Sequence, residues 1–459
     1  MSQISVAVIG AGAAGLCAAR HLSAAAASHD LRIKVFEQTD NIGGTWVYTD
    51  NVGTDTHGLP VHSSMYKNLK TNLPKEVMAF PDFPFPDYEE SFIHHSKVLD
   101  YLKLYSDHFQ LEKFINFNTK VAKVKPEVPN DRMARWEVTS ECLTTSAVTV
   151  ETFDGIMVCN GHYSVPVIPD IPGLDAFNGQ VIHSHNYRRP EDFAGEKVII
   201  LGGGASGTDI CIELSKHADT VYLSHNNPGL PTVLPNNVHQ VSGVNSCQGE
   251  SNFKLNDGSE ILATVILLAT GYHYSFPFLS DDCGVNVTTR RVSPLFKHLI
   301  NINHPSMCFI GIPIQICPFP QFDLQIRYFV KIITGQLQAL SAENMLADLH
   351  KDEEWRRNEL KMPEKYLHKM GTIQWKYNKE MAELGDLEPI CDAVENLYNA
   401  VHGRRRYCLP YYKNDSYKLV GKSGFSGSIF DQETGSFSTI IGDRKIPSKL
   451  ELKYPIFIC

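Results

Sequence analysis

Two glycine-rich turns, each between a strand and a helix, have the spacing that predicts chemistry in this 459-residue chain. The first has the pattern G-x-G-x-x-G over residues 10–15, after the apolar run 4–9 and before an alanine-rich helix predicted to end near Ala27. The second repeats the pattern over residues 202–207, between strand 197–201 and another helix. Glycines at these positions let a pyrophosphate approach the backbone, and the helix N-terminus supplies unpaired N–H groups. The two turns therefore predict two dinucleotide sites.

The two sites differ in the residues that end the next strand of each unit. Glu37 ends a strand predicted over residues 32–36, about 20 residues after the first turn, where an acid binds a ribose 2′-hydroxyl. Ser224 and His225 stand in the corresponding place of the second unit. Because a carboxylate would repel a 2′-phosphate, its absence favours NADP over NAD at the second site.

Two dinucleotide sites in one chain indicate electron transfer between two nucleotide cofactors, with FAD in the first site and NAD(P)H in the second. A disulfide reductase shares this plan but needs a redox pair of cysteines near the flavin. The chain has 11 cysteines but no C-x-x-C pair and no Cys/His spacing typical of zinc. The cysteines are therefore interpreted as free thiols in a reducing compartment, and neither a metal site nor a disulfide reductase is expected.

Charge and hydropathy exclude two classes of partner. The chain has 42 Lys and Arg against 51 Asp and Glu, a net charge of −9, which argues against nucleic-acid binding. The basic run Arg404–Arg406 is interpreted as a solvated turn. The longest charge-free stretch, residues 298–322, holds four prolines, so no membrane anchor is expected. The sequence predicts a soluble cytoplasmic protein, with secretion after removal of a signal left open.

The predicted fold is α/β, with two Rossmann-like dinucleotide-binding domains and the NADP domain inserted into the FAD domain. Two further apolar strands, near residues 155–159 and 265–269, are each followed by small residues. The predicted FAD-binding domain covers residues 1–165 and 275–459, and the predicted NADP-binding domain covers 166–274. A helix is predicted over 323–340, with helical sequence to about 399, and the glycine- and serine-rich tail after Arg406 is assigned no role.

Residues 177–187 have the pattern F-x-G-x-x-x-H-x-x-x-Y, directly before the second turn. This resembles the fingerprint of the flavin-containing monooxygenases, the class B flavoprotein monooxygenases. The resemblance extends from residue 4 to about 340 through the segments Gly43–Trp46, His62–Tyr66, Thr71–Glu76, Phe80–Pro86, Ala269–Tyr272 and Gly311–Gln315. The chain ends without the hydrophobic anchor of vertebrate microsomal members and is most similar to the soluble insect branch, which includes pyrrolizidine-alkaloid N-oxygenases.

The resemblance implies a reaction. Members of this family reduce FAD with NADPH and form a C4a-hydroperoxyflavin with O₂, shielded by retained NADP⁺. The distal oxygen then passes to a soft nucleophile, so the implied activity is N-oxygenation of a tertiary amine such as a pyrrolizidine alkaloid, or S-oxygenation of a sulfide. The implied partners are the small-molecule amine or sulfide and O₂, and a homo-oligomer is left open.

The family match also implies site residues. Asn72 is the candidate catalytic residue, placed near flavin N5 and the nicotinamide ribose, whereas His183 and Tyr187 are expected to hold the domain interface. The predicted FAD-binding residues are Gly10, Gly12, Ala13, Ala14, Gly15, Glu37, Gly44, Thr45, Trp46, His62, Thr71, Asn72, Val121 and Gln315. The predicted NADP-binding residues are Gly202, Gly204, Ala205, Ser206, Gly207, Ser224 and His225.

Two alternatives stay open at this point. A Baeyer–Villiger-type ketone monooxygenase uses the same intermediate, but its fingerprint typically continues as W-P where this chain has Tyr187-Arg188. A non-catalytic nucleotide-binding protein that senses NADPH would carry similar glycine turns. A yellow protein that NADPH bleaches and air restores would favour an enzyme, and the same trace with amine or with ketone would separate the two enzymes.

Overall fold

The computed structural model describes residues 3–227, 229–288, 290–431 and 434–442, with a seven-stranded sheet at its centre. The strand order is Leu295–Phe296, Ile300–Asn301, Met307–Phe309, Gly155–Val158, Ile4–Ile9, Leu31–Phe36 and Ile115–Asn116. The last five of these strands run parallel, and the first two form an antiparallel edge. The central strand Ile4–Ile9 is almost entirely buried, because helices and a small sheet cover the two faces of such sheets.

A second sheet consists of five parallel strands. Their order is Val238–Val241, Thr220–Ser224, Lys197–Leu201, Val265–Leu268 and Gln180–His183. In the sequence, all five strands fall between Gly155–Val158 and Met307–Phe309, which pair directly with each other in the first sheet. One Rossmann unit is therefore inserted into the other, which confirms the predicted fold class.

The chain crosses between the two units at Val165–Pro166 and Tyr272–His273, which pair as antiparallel strands. The Thr270 hydroxyl donates a hydrogen bond of 2.5 Å to the Val167 carbonyl beside this pair. The two crossings thus lie side by side and are linked to each other. The domain bounds 1–165, 166–274 and 275–459 stay a prediction.

Smaller antiparallel sheets flank the two Rossmann units. Their strands are Thr119–Pro126, Trp136–Cys142 and Val148–Phe153 in one sheet, Val244–Gln248, Asn252–Leu255 and Glu260–Leu262 in another, and Ser416–Val420, Gly424–Asp431 and Ser436–Gly442 in a third; Asn286–Thr288 pairs with Arg291–Ser293. The described part of the tail after Arg406, to which the sequence assigns no role, therefore includes a three-stranded sheet.

The α-helices of the described residues are Ala13–Ala25, Lys75–Met78, His95–His108, Ala205–Leu214, Pro318–Ile333, Ala342–Asn358, Gln374–Gly385 and Asp392–Tyr407. The helix expected over 323–340 begins earlier because Pro318 is tolerated in a first turn, and it ends at Ile333, two residues before Gly335 with φ +74°. In the described part of the chain, no helix combines the length and the apolar character needed to cross a bilayer.

The interpretation of Arg404–Arg406 as a solvated turn is wrong. These residues form the last turn of helix Asp392–Tyr407. The Arg404 guanidinium is buried and donates to the carboxylate of buried Asp415 over 2.8 Å, and this carboxylate also accepts from the backbone N–H of Phe430. The arginine therefore fastens the C-terminal sheet to the helix, through a partner that the basic run does not reveal.

Cys17, His21 and Asp323 come together between helices Ala13–Ala25 and Pro318–Ile333. His21 lies 2.6 Å from one carboxylate oxygen of Asp323, and Arg327 donates to the other over 2.7 Å. Burial raises the pKa of the Cys17 thiol well above its usual value. With both carboxylate oxygens of Asp323 paired to His21 and Arg327, the cluster joins the two helices.

Candidate functional site

The first glycine turn is a close-packed backbone structure. Gly10 has φ +102°, and a Cβ on it would lie 2.7 Å from the Cys159 carbonyl oxygen. A Cβ on Gly15 would lie 1.8 Å from the Gly10 carbonyl oxygen. The following helix, Ala13–Ala25, has Gly12 at its N-cap, with neither a side-chain cap nor an acidic residue in its first turn. Its N–H groups and positive end are therefore available to an anion.

Residues 43–46 pack against this turn. The Gly43 N–H donates to the Ala11 carbonyl over 3.0 Å, and a Cβ on Gly12 would lie 3.5 Å from the Gly44 Cα. The Thr45 carbonyl accepts from the Ser63 hydroxyl, next to half-buried His62, and Trp46 meets Phe319 edge-on at 6.4 Å. The structure thus brings the predicted residues of 10–15, 44–46 and 62 into one neighbourhood.

Glu37 is buried at the end of its strand and orients the first turn. Its carboxylate accepts a hydrogen bond of 2.8 Å from the Ala11 N–H, and its other oxygen accepts from the N–H and hydroxyl of Thr39. Its carbonyl accepts from the N–H of Thr119, two residues before buried Val121. Glu37 and Val121 therefore lie at the same edge of the predicted FAD site.

The second glycine turn repeats the geometry of the first. Gly202 has φ +129° and leaves only 2.4 Å between a Cβ and the Ala269 carbonyl, and a Cβ on Gly207 would lie 1.8 Å from the Gly202 carbonyl. By contrast, a Cβ on Gly204 would have no heavy atom within 4 Å, and Ala205 and Ser206 are exposed. Helix Ala205–Leu214 also lacks a side-chain cap. This open cradle fits a pyrophosphate.

Ser224 and His225 lie directly beside the second turn. The Gly202 N–H donates to the Ser224 carbonyl over 2.9 Å, and the His225 ring is 2.8 Å from an ideal Cβ on Gly203. The Ser224 hydroxyl is buried and donates to the Ser242 carbonyl. The Nε2 of His225 is buried and has no hydrogen-bond partner in the described part of the chain. Of these two side chains, the imidazole is the one available to a ligand.

Asn72 is exposed, and its amide bonds to none of the residues that the structure describes. The backbone beside it is fixed, because the Thr71 N–H donates to the Ile93 carbonyl over 2.9 Å. The Thr71 hydroxyl is buried and unpartnered within the described residues. Asn72 and Thr71 therefore offer polar groups that nothing in the described protein uses.

Gln315 lies in the segment that leaves strand Met307–Phe309 of the first sheet. It has φ +57°, its side chain is exposed, and its carbonyl accepts from the Gly371 N–H. Two residues later, the Cys317 thiol donates to the Val77 carbonyl over 2.6 Å, in the helix that follows Asn72. This contact ties the Gln315 segment to the Asn72 segment.

The fingerprint residues join the two units. His185 Nε2 lies 2.9 Å from the Val61 carbonyl, and buried Arg188 donates to the Ser63 carbonyl over 3.3 Å, both in the segment next to His62. The Tyr187 hydroxyl donates to Glu213 of helix Ala205–Leu214. Burial and nearby His185 lower the pKa of His183 to about 4, so this imidazole is neutral at neutral pH. The bonds of His185 and Arg188, and the edge-on packing of the Tyr187 ring on Tyr66 at 5.3 Å, therefore lie at the interface between the units, and an interface role for His183 stays a prediction.

Most of the predicted residues thus fall into two groups, one around each glycine turn, whereas Thr71, Asn72 and Gln315 lie in two further segments that the Cys317–Val77 contact ties together. Sequence reasoning missed Arg188, which follows the fingerprint directly, and Asp209 and Lys413, which connect the groups. The only signal for Arg188 was its adjacency to Tyr187. For Lys413 no local pattern exists, because its carboxylate partner lies 204 residues away in the chain.

We expect Gly204→Ala to weaken NADP⁺ binding by about 5- to 100-fold, because the methyl group would overpack the site once the dinucleotide is bound, at a cost of about 1–3 kcal/mol. The free protein should keep its thermal stability. The open space at Gly204 accommodates the methyl group in the free protein. Gly207→Ala should instead destabilise the domain, since its methyl would clash with the Gly202 carbonyl. Titration with NADP⁺ and thermal unfolding distinguish the two effects; unchanged NADP⁺ affinity in Gly204→Ala would contradict this assignment.

Comparison with known proteins bears on the whole arrangement. The family model described as FMO-like, flavin-binding monooxygenase-like, matches residues 3–243 and 226–394. The flavin-containing monooxygenase FMO GS-OX-like 4 of Arabidopsis thaliana is 34% identical over 445 residues, covering 93% of this chain and 97% of that protein. FMO GS-OX5 of the same plant is 36% identical over 402 residues, covering 83% and 85%.

Solved structures agree with this relationship. S-allyl-L-cysteine S-oxygenase from Allium sativum superposes with a TM-score of 0.82 at 33% identity, covering 90% of this chain and 95% of that one. Tmm from Pelagibacter sp. strain HTCC7211 gives 0.80 at 26% identity, covering 96% and 97%. Cyclohexanone monooxygenase, with a TM-score of 0.60 at 14% identity over 84% and 98% of the two chains, shares the fold alone.

The family match therefore covers both glycine turns, the fingerprint between them and the Asn72 segment. It also confirms the expected cofactor set of FAD and NADP, because the two sites have the backbone geometry that these dinucleotides require. The chain belongs to the flavin-containing monooxygenases.

Proposed function

We propose that this protein is an NADPH-dependent monooxygenase that transfers one oxygen atom of O₂ to the sulfur of a small thioether, with tertiary amine nitrogen as a second acceptor. The observation that carries the sulfur assignment is the 33% identity to an S-oxygenase over 90% of the chain, at a TM-score of 0.82. The narrower expectation of a pyrrolizidine alkaloid and of kinship with the insect enzymes stays a prediction. Amines and sulfides are both soft nucleophiles, so one site can serve both classes.

The chain's own residues supply binding and positioning. The cradle of Gly10–Gly15 and Gly44 would hold the FAD pyrophosphate, and Glu37 orients that turn through the Ala11 N–H. The second turn would hold the NADP pyrophosphate at the N-terminus of helix Ala205–Leu214. Bound FAD supplies the redox and oxygen-activating chemistry.

At the reacting edge, the free amide of Asn72 would contact both the flavin and the nicotinamide ribose. An amide donates and accepts at once, so it can bond a ring N–H and a ribose hydroxyl together. The fingerprint contacts through His185 and Arg188 hold the second unit against the segment next to His62.

Purified protein tests this proposal directly. We expect NADPH-dependent oxygen uptake with S-allyl-L-cysteine and with a tertiary amine such as N,N-dimethylaniline, and a product one oxygen atom heavier by mass spectrometry. Cyclohexanone should give no lactone. Bleaching by NADPH without any oxygenated product would favour a nucleotide-binding protein, and lactone formation would favour the ketone monooxygenase.

The preference for NADPH gives a separate prediction. His225→Asp should raise the Kd for NADP⁺ by about 10-fold or more, because a carboxylate near a 2′-phosphate costs about 1 kcal/mol even in water and more near protein. The Kd for NAD⁺ should change little. His239→Asp, the same charge change at an exposed histidine on strand Val238–Val241, is the matched control. An equal effect on both dinucleotides would remove His225 from the 2′-phosphate site.

A further inference from the structure

Lys413, in the segment between helix Asp392–Tyr407 and the C-terminal sheet, contacts both Rossmann units. Its ammonium donates to the Lys70 carbonyl over 2.9 Å and pairs with the carboxylate of Asp209. The Lys413 side chain is 17% exposed and that of Asp209 is 23% exposed. This ion pair is therefore largely withdrawn from water. Its electrostatic attraction is stronger there than it would be at the surface, because the effective dielectric constant is lower.

Asp209 and Glu213 are one turn apart on helix Ala205–Leu214, so they share a face. The Tyr66 hydroxyl donates to Asp209, and Asn68 donates to Glu213 over 2.9 Å. The helix that begins at the second glycine turn is thus fastened, through two carboxylates, to the segment 66–70. Burial raises the pKa of Glu213, and the hydrogen bonds from Tyr187 and Asn68 oppose that shift, with a smaller contribution from Lys413.

The segment 66–70 leads directly into Asn72. Its backbone is fixed on one side, where the His95 N–H donates to the Leu69 carbonyl and the Thr71 N–H donates to the Ile93 carbonyl. On the other side, the described residues give the Lys70 carbonyl one partner, the ammonium of Lys413. Among the described contacts between this segment and the helix of the second site, the Lys413 bridge is the one that holds the backbone carbonyl two residues before Asn72.

We propose that Lys413 is a positioning residue of the monooxygenase reaction, which holds the Asn72 segment at a set distance from the dinucleotide bound at the second turn. This role depends on the proposed function for one measurement only, the amount of hydrogen peroxide formed per NADPH oxidised. It assigns a role to the C-terminal segment, which contains none of the predicted site residues. Loss of the ammonium frees the Lys70 carbonyl and leaves Asp209 with Tyr66 alone, so of the links to helix Ala205–Leu214 the one nearest Asn72 is lost, and the separation between Asn72 and the second site is held less tightly.

Lys413→Met keeps the aliphatic stem and removes the charge. We expect the variant to keep its FAD, because the first glycine turn, residues 10–15, is not in contact with Lys413. Flavin reduction by NADPH should be slower by about 10- to 100-fold, which is the scale of the rate loss from a 1 Å misplacement. We also expect more hydrogen peroxide per NADPH oxidised. Lys413→Arg should restore most of the rate because the cation can still reach both oxygens. Lys418→Met, the same change at an exposed lysine of strand Ser416–Val420, should behave as wild type.

The measurements are stopped-flow flavin reduction, the Kd for NADP⁺, the ratio of peroxide to NADPH, and thermal unfolding of each FAD-loaded variant. Flavin reduction and NADP⁺ binding need no organic substrate, so they test Lys413 even if wild type oxygenates neither sulfide nor amine. Wild-type reduction rate and coupling in Lys413→Met would overturn the inference. A loss of FAD and of thermal stability that Lys413→Arg does not rescue would also overturn it, since that result describes a structural role only.

Discussion

Replacing Asn72 by alanine is expected to leave FAD bound and NADPH oxidation intact, while most of the oxygen consumed is released as hydrogen peroxide. The amide is exposed and unpartnered among the described residues, so its removal disturbs no contact of the free protein. Loss of one preorganised hydrogen bond typically costs on the order of 3 kcal/mol of transition-state stabilisation, about 100-fold in rate. Oxygen transfer therefore falls behind unproductive decay.

Asn72→Asp should give the same result, because a carboxylate accepts hydrogen bonds but cannot donate one when ionised. Asn358→Ala, at an exposed and likewise unpartnered asparagine ending helix Ala342–Asn358, is the matched control. The quantity to measure is oxygenated product per NADPH, with peroxide determined in parallel. Coupling equal to wild type in both Asn72 variants would place Asn72 outside the active site.

Gly12→Ala is expected to yield a folded protein with little or no FAD. Gly12 has φ −75°, so alanine fits its backbone, and the new methyl would meet the Gly44 Cα at an ordinary 3.5 Å. The same methyl occupies the surface that the pyrophosphate must approach, and overpacking of about 1–3 kcal/mol weakens binding by about 5- to 100-fold. The loss of flavin should therefore occur without loss of the fold.

Flavin absorbance per protein and thermal unfolding after removal of FAD measure these two effects separately. Gly403→Ala, within helix Asp392–Tyr407 and with no atom within 4 Å of its Cβ, should keep its FAD. Gly15→Ala should fail differently, because its methyl clashes with the Gly10 carbonyl and destabilises the turn itself. Full flavin occupancy in Gly12→Ala would refute the assignment of the first site.

Both glycine turns and the inserted arrangement could be predicted because their signals are local. Gly10 and Gly202 have positive φ, and Gly15 and Gly207 leave no room for a side chain. Both requirements favour glycine at a fixed distance after a strand, so a short pattern reveals them. Element ends were predicted less well. The helix after the second turn, which the sequence predicts over residues 208–217, begins at Ala205, since the last turn glycine lies inside the helix.

The sequence by itself determined the two dinucleotide folds, the family and the segment that holds Asn72, because each depends on neighbouring residues in a short pattern. Only the tertiary structure decided how those segments meet. Arg404 is buried against Asp415 although its local sequence predicts a surface turn, and Lys413 pairs with Asp209, which lies 204 residues away in the chain. The residues next to a cation in the sequence do not indicate its ion-pair partner, because the attraction depends on distance in space and not on separation along the chain.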